Sequence, residues 1–393
     1  MPDFTDPICA IDTAPAPNAL RSSPETILIN APYAPSLIGF RGPLIEELVG
    51  RGHTVHVSAP QIGSKTASAL HAIGAIPHEI RLDRTGTNGV NDVRYFLDMR
   101  RLMKEISPGL VLNYAIKPNI WGSLAAKTLG ISSASLVTGV GRAFDAAPGM
   151  MPRIVRAFAR LLYRAATDAN EIVIFQNPDD RDDFVAQGWL ADAAKARLVH
   201  GSGVDMDHYA PVPLAKVPVF LMIARLIVSK GVRDYGEAVS LLLGQGSKAR
   251  FLLAGFADGG PGAIAPDEIA RWQAAGLEYL GPLDDVRPAI AQASVFVLPS
   301  RREGTPRSTL EAMAMGRPVI TSAAPGCRQT VEDGVNGLLI PPSDMAALAA
   351  AMRQLIDAPE LRVAMGKRSL QICRDRFDVR LVNRDMLRHL RLG

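Results

Sequence analysis

Two carboxylates with seven residues between them mark the stretch Glu303-Gly-Thr-Pro-Arg-Ser-Thr-Leu-Glu311. Carboxylates are acceptor-only groups that can each take two donors, which suits the neighbouring hydroxyls of a sugar or a ribose. A competing use exists, because Ser308 and Glu311 also fit a helix capping box. Upstream, Phe220-Leu-Met-Ile-Ala-Arg-Leu-Ile-Val-Ser-Lys-Gly231 places Arg225 and Lys230 around a loop that opens into a helix near Gly231. A planar guanidinium and a point-charge ammonium beside a helix N-terminus are suited to a diphosphate. The plainer reading is two solvated surface cations.

Both motifs follow short apolar runs, Val219–Ala224 and Val295–Leu298, and such runs alternate with helical patterns along the chain. In the first half the expected strands are Thr26–Asn30, Thr54–Ser58, His78–Leu82, Leu110–Tyr114, Ser135–Thr138, Ile172–Gln176 and Arg197–His200. In the second half they are Val219–Ala224, Arg250–Ala254, Leu277–Leu280, Val295–Leu298, Val319–Thr321 and Gly337–Ile340. This alternation predicts an α/β chain with parallel sheets and crossover helices. Ligands of open α/β sheets bind at the carboxyl ends of strands, where both charged motifs fall. The stretch Gly203 to Pro213 carries two prolines and breaks the pattern, so the hinge is expected there.

The glutamate pair and the Arg with a Lys five positions on resemble the donor-binding motifs of retaining family-4 glycosyltransferases with the GT-B fold. The resemblance runs from about Thr26 to the C-terminus. Leu221-Met-Ile-Ala-Arg225, Lys230-Gly-Val232, Ile116-Lys-Pro-Asn119 and Gly122-Ser-Leu-Ala-Ala126 resemble the branch acting on undecaprenyl-diphosphate sugars, N-acetylgalactosaminyltransferases among them. It implies a GT-B architecture, two doubly wound Rossmann-like domains whose parallel sheets face each other across a cleft. The expected boundaries are a tail over 1–24, an acceptor domain over 25–205, a nucleotide-sugar domain over 206–378 and a helix over 379–393 crossing back.

The implied activity is transfer of a hexose or N-acetylhexosamine, with retention, from a UDP-sugar to a lipid-diphosphate-linked saccharide. Surface polysaccharide, O-antigen or glycoprotein glycan assembly would use it. Arg225 and Lys230 would stabilise the departing diphosphate, Glu303 would hold the donor hexose and Glu311 the ribose. Amides from Gly304 and Thr305 through Pro306 to Arg307 would orient the sugar, and Leu280 and Gly255 would line the nucleotide. The loop Ala31 to Pro43 would approach the diphosphate at Gly39, with Phe40 and Arg41 toward the acceptor, a plain surface loop being the other reading. Thr138 and Gly139, in Thr138-Gly-Val-Gly141, have a similar expected place. Lys117 either meets the acceptor's diphosphate or is solvated, and Ile116 stands where some relatives have a histidine. A non-hydrolysing sugar-nucleotide epimerase of the same architecture is the alternative.

Composition narrows the partners. The chain has 393 residues, 48% hydrophobic and 21% charged, enough for two cores and unlike a disordered chain. A net charge of +4 is too small to argue for nucleic acid. Cys9, Cys327 and Cys373 fit no metal or disulfide pattern, which points to a reducing cytosol. No Gly-x-Gly-x-x-Gly follows the first strand, so no dinucleotide cofactor is expected. No metal is expected either, Asp205 and Asp207 reading as turn residues of the linker. No apolar run reaches the ~18 residues of a membrane span, so membrane contact would be peripheral, on the cytoplasmic face of the inner membrane. Arg153, Arg156, Arg160 and Arg164 share one side of a helical pattern and either dock on anionic lipid or stay in water. Charge reversal at Arg156 and Arg160 is expected to weaken liposome binding if lipid is their partner.

Overall fold

A computed structural model describes residues 25–83, 89–139, 153–257, 259–260 and 262–392, with the side chains of 153–159 outside the description. The chain divides into two units, one running to Ser202 and resuming at Val382, the other spanning Gly203–Leu381. The first unit holds β1 (Thr26–Asn30), β2 (Thr54–Ala59), β3 (Ile76–Glu79), β4 (Leu110–Tyr114), β5 (Ser132–Val137), β6 (Ile172–Phe175) and β7 (Ala196–Leu198). They form one sheet in the order β3-β2-β1-β4-β5-β6-β7, and every neighbouring pair is parallel.

The second unit holds β8 (Val219–Ile223), β9 (Arg250–Ala254), β10 (Glu278–Gly281), β11 (Val295–Leu298), β12 (Val319–Ser322) and β13 (Gly337–Ile340). Their order is β10-β9-β8-β11-β12-β13, again all parallel. Both sheets are therefore doubly wound, with the strand order reversing between β1 and β4 and between β8 and β11. Ligands of this fold sit where the order reverses, because the crossover connections leave in opposite directions there.

The apolar runs become strands because a parallel sheet is covered on both faces. β11 is fully buried, and its Val295, Phe296 and Val297 share a core with Phe220, Leu221 and Phe251. In the first unit Ile27, Ile29, Leu110 and Leu112 pack with Leu44, Ile45 and Leu48. That core also takes Val382, Met386, Leu387 and Leu390 from the helix Val379–Leu390. Beside the crossing points, Val204 N–H donates to Phe377 O at 2.8 Å and Val379 N–H to Val204 O at 3.0 Å. Among the described residues no helix is long and apolar enough to cross a membrane.

Two expectations are corrected. The strand expected over His78–Leu82 lies at Ile76–Glu79, where Ile76 pairs with His56 and Glu79 with Ala59. The glycine- and proline-rich loop after β1 is short, because a helix already begins at Pro35 and runs to Gly50. Proline at the first helical position is preset for the helix and lacks only an N–H that would have no intrahelical partner. Gly39, Phe40 and Arg41 are thus helical and not loop residues. Pro43 sits inside the same helix, where it cannot donate to the Gly39 carbonyl.

Candidate active site

At the order reversal of the second unit, the loops after β8 and β11 are stitched together. Arg301 N–H donates to Ser229 O at 2.9 Å and Ser300 Oγ donates to the same carbonyl at 3.2 Å. Lys230 closes a short helical turn, Val228–Lys230, and Gly231 follows it with φ 74°. A Cβ on Gly231 would lie 2.2 Å from Pro299 O, so only glycine lets the two loops approach. This places Lys230 Nζ 2.5 Å from Glu303 Oε1, in an ion pair whose side chains are 20% and 12% exposed. Arg225 is exposed on the loop directly after β8. A helix of 13 residues starts at Val232, just past Lys230.

Glu311 lies on the helix Arg307–Ala314 and is 7% exposed. Its Oε1 accepts from Arg307 Nε at 2.8 Å and from the Tyr209 hydroxyl at 2.9 Å. Burial raises its pKa, while the Arg307 guanidinium and the Tyr209 hydroxyl act in the opposite direction. Burial beside that carboxylate likewise pushes the Tyr209 hydroxyl far up. The capping-box reading does not hold. Pro306 occupies the N-cap position and no side chain caps this helix. Ser308 Oγ instead donates to Ile223 O, the last residue of β8, at 3.1 Å. That bond fastens the first turn of the helix to the strand before Arg225.

Further backbone approaches shape this edge. Gly255, after β9, has φ 146°, and a Cβ there would fall 1.8 Å from Ala224 O. Its N–H donates to Gly281 O and its carbonyl accepts from the Tyr279 hydroxyl, both at 2.9 Å. Leu280, in β10, is 36% exposed. Glu303 N–H donates to Pro325 O at 3.0 Å, and a Cβ on Gly326 would lie 2.0 Å from Glu303 O. The loop after β12 therefore props the Glu303-Gly304-Thr305 segment. Sequence reasoning missed Tyr209, Ser229 and Gly326, which position charged groups and carry no charge themselves. The structure thus gathers Lys230 with Glu303 and Arg307 with Glu311. A neighbouring cation and carboxylate on adjacent strands can hold an anionic group that is joined to hydroxyls.

The reversal point of the first unit is built differently. Asn30 Nδ2 donates to Asn113 Oδ1 at 3.0 Å, and Asn30 Oδ1 accepts from Tyr95 OH at 2.9 Å and Ser58 Oγ at 3.1 Å. Asn113 Nδ2 donates to Ser123 Oγ at 3.2 Å, and a Cβ on Gly122 would strike Asn113 Oδ1 at 2.1 Å. Asn119 is buried and donates to Leu136 O at 3.0 Å. These contacts account for Asn119, Gly122 and Ser123 by packing. Ala115, at the end of β4, has φ 69°, a conformation non-glycine residues rarely hold and one that clusters at functional edges.

Lys117 is neither a solvated cation nor an isolated one, since its Nζ lies 2.7 Å from Asp92 Oδ1. Arg41, expected toward the acceptor, is 3% exposed with its guanidinium 5.3 Å from the centre of the Tyr114 ring. Phe40 is 43% exposed. Thr138 and Gly139 follow β5 and are half-buried, Gly139 with φ 129°, while Gly141 lies outside the described residues. In the helix Arg153–Ala169, Arg160 and Arg164 are exposed, and the side chains of Arg153 and Arg156 are outside the description. Asp205 Oδ1 accepts from the N–H groups of Asp207 and His208 at 2.9 and 3.0 Å, the turn role its position implied.

Comparison with known proteins gives two family matches, "Glycosyl transferases group 1" over residues 217–358 and "Glycosyl transferase 4-like" over residues 39–177. The chain is 26% identical over 351 residues to N,N'-diacetylbacillosaminyl-diphospho-undecaprenol alpha-1,3-N-acetylgalactosaminyltransferase of Campylobacter jejuni, covering 86% of this chain and 90% of that protein. It is 32% identical over 206 residues to the putative colanic acid biosynthesis glycosyltransferase WcaL of Escherichia coli, covering 47% and 48%. A glycosyltransferase structure from Rickettsia africae matches with a TM-score of 0.76 at 17% identity, covering 95% of this chain and all of that one. Anabaena HepE in complex with UDP matches with a TM-score of 0.74 at 17% identity, covering 94% and 100%.

Proposed function

Because the chain belongs to the group 1 and 4-like glycosyltransferases and has their GT-B fold, we propose that it transfers a hexosyl or N-acetylhexosaminyl group, with retention, from a UDP-sugar to a lipid-diphosphate-linked saccharide. Surface polysaccharide, O-antigen or glycoprotein glycan assembly is the setting, on the cytoplasmic face of the inner membrane. The observation that carries this reading is the Lys230–Glu303 pair across the β8/β11 reversal point. The Campylobacter relative's named acceptor supports the lipid diphosphate. The UDP complex of the Anabaena structure supports the donor nucleotide.

In this reading Arg225 and Lys230 neutralise charge that grows on the diphosphate as the sugar C1–O bond breaks. Preorganised charge of this kind is usually the largest single catalytic contribution. Glu303 takes donor hydroxyls and Glu311 the ribose, with backbone from Gly304 to Arg307 orienting the sugar and Gly255 and Leu280 lining the nucleotide. In the first unit, Phe40, Thr138 and Gly139 stand at the acceptor's side. The acceptor hydroxyl attacks C1 from the face the diphosphate leaves, and a diphosphate oxygen takes its proton. Bonds and protons then balance with no covalent enzyme intermediate.

The test incubates the protein with UDP-, GDP- and ADP-sugars, each with and without an undecaprenyl-diphosphate-linked saccharide. Extended lipid-linked product should form only with a UDP-sugar and acceptor together. An isomerised nucleotide sugar from donor alone would overturn the reading in favour of an epimerase.

A further inference from the structure

The helix Gly89–Ile106, which follows β3, buries one side and presents an unusual second side. Tyr95, Met99 and Met103 recur every four residues and pack into the first unit's core with Leu28, Val111, Ala125 and Ala126. Away from them run Val90, Val93, Leu97, Arg101 and Lys104, spaced three or four apart and so stacked in one row. Val90, Val93 and Leu97 are 61%, 53% and 54% exposed, and Arg101 and Lys104 are exposed as well. Arg94, also exposed, lies beside the row between Val90 and Leu97. Single exposed aliphatics need no explanation, but three in one row on a helix do.

The row changes character along its length. Its aliphatic end follows the carboxyl end of β3, and its cationic end precedes the amino end of β4. The aliphatic end therefore stands at the edge of the sheet where ligands of this fold bind. Asp92 is paired with Lys117 and Arg100 Nε donates to Thr128 at 3.2 Å. The exposed Asp98 and Glu105 neighbour Arg94 and Arg101 on the helix and leave the cations Arg94, Arg101 and Lys104 in excess. Aliphatic groups in a row with Lys and Arg are the pattern of a helix that lies in a bilayer interface, apolar groups entering and cations meeting anionic headgroups.

We propose that this face of the helix Gly89–Ile106 is a membrane-docking surface whose partner is a bilayer carrying anionic lipid. Val90, Val93 and Leu97 enter the interface at the ligand edge of the sheet, and Arg94, Arg101 and Lys104 hold the headgroups. The inference rests on the proposed lipid-linked acceptor only for its purpose, since the surface would bring the protein to where such an acceptor is anchored. It is a different surface from the helix Arg153–Ala169, on which Arg160 and Arg164 are exposed.

The experiment is co-sedimentation of the full chain with vesicles of phosphatidylethanolamine and phosphatidylglycerol, and with phosphatidylcholine vesicles as the neutral arm. Wild type should bind the anionic vesicles and release with salt. Val93→Ser with Leu97→Ser should lower binding at least about tenfold, from the lost aliphatic insertion. Arg101→Glu with Lys104→Glu should abolish the preference for anionic lipid. Both variants should keep the wild-type melting temperature, monomer-to-oligomer ratio and binding of UDP, because these side chains face outward. Wild type that ignores vesicles, or variants that bind them equally, would overturn the proposal. So would a serine variant that melts lower or changes oligomeric state, since the row would then be covered by this chain or by a second copy. Vesicle binding in a protein that transfers no sugar would refute the proposed function and leave the surface standing.

Discussion

The two order-reversal points share a strand topology and differ in chemistry. In the second unit the loops after β8 and β11 present Arg225, Lys230 and Glu303, with ionic side chains partly open to water. In the first unit the corresponding strands carry Asn30, the last residue of β1, and Asn113, the last but one of β4, buried and bonded to each other. Charge near water can meet an anionic ligand at modest desolvation cost, whereas a closed amide network rigidifies an edge. The contrast teaches that one strand topology can carry charged loops at one reversal point and a closed amide network at the other. Loops do this work, because the strands beneath them are nearly interchangeable apolar runs.

The largest effect should come from the charged edge. On the proposed assignment Lys230→Ala removes an ammonium that would neutralise the leaving diphosphate, so turnover should fall at least about 100-fold. Measured kcat near wild type would erase the distinction between the edges. At the neutral edge, Asn113→Ala strands the Asn30 amide and loses the Ser123 bond. Buried groups left unpaired cost about 1–3 kcal/mol each, so the first unit's melting temperature should drop by roughly 5–10 °C. Nucleotide affinity measured below the transition should not change, and a parallel loss of affinity would show that the network reaches the second unit.

Tyr209→Phe sharpens the comparison more gently. It deletes one donor to Glu311 Oε1 and leaves the Arg307 bond, so donor KM should rise several-fold at steady kcat. Burial already raises the Glu311 pKa, and the hydroxyl favours its ionised form. Losing that hydroxyl should move the acid limb of kcat/KM to higher pH, with Arg307, Tyr209 and His208 the groups acting on the carboxylate. An unmoved limb would show that Tyr209 serves packing alone.

The smallest effect lies at the first unit's sheet edge, where His56 Nδ1 sits 2.7 Å from His78 Nε2. Burial lowers both pKa values from 6.5, helped at His56 by the His78 charge and opposed at His78 by Glu105. The unfolded chain then binds more protons as pH falls, so this contribution is complete above pH 6.5 and lost below it. The melting temperature should decline slightly on acidification, and His78→Gln should flatten that decline. An unchanged slope would discount the pair.

Most of the fold was legible because parallel strands buried on both faces read as uninterrupted apolar runs, as in Val295–Leu298 and Leu110–Tyr114. The helix starting at Pro35 was not, since Gly39, Gly42 and Pro43 signal a loop locally. Burial of Leu37, Leu44, Ile45 and Leu48 against β1 overrides that signal. Lys230, Glu303 and Glu311 stood out because charge after a strand is visible in one dimension, and the structure puts each of them in an ion pair. Their supports could not. Tyr209 meets Glu311 across 102 residues, Lys117 meets Asp92 across 25, and Ser308 serves Ile223 rather than its own helix.

The most direct measurement is a calorimetric titration of UDP into wild type and Lys230→Ala at matched pH and salt. Wild type should bind at one site per chain, and the variant should bind at least tenfold more weakly, with Tyr95→Phe in the first unit binding as wild type does. Equal affinity in wild type and Lys230→Ala would contradict the placement of the diphosphate at the β8/β11 reversal point.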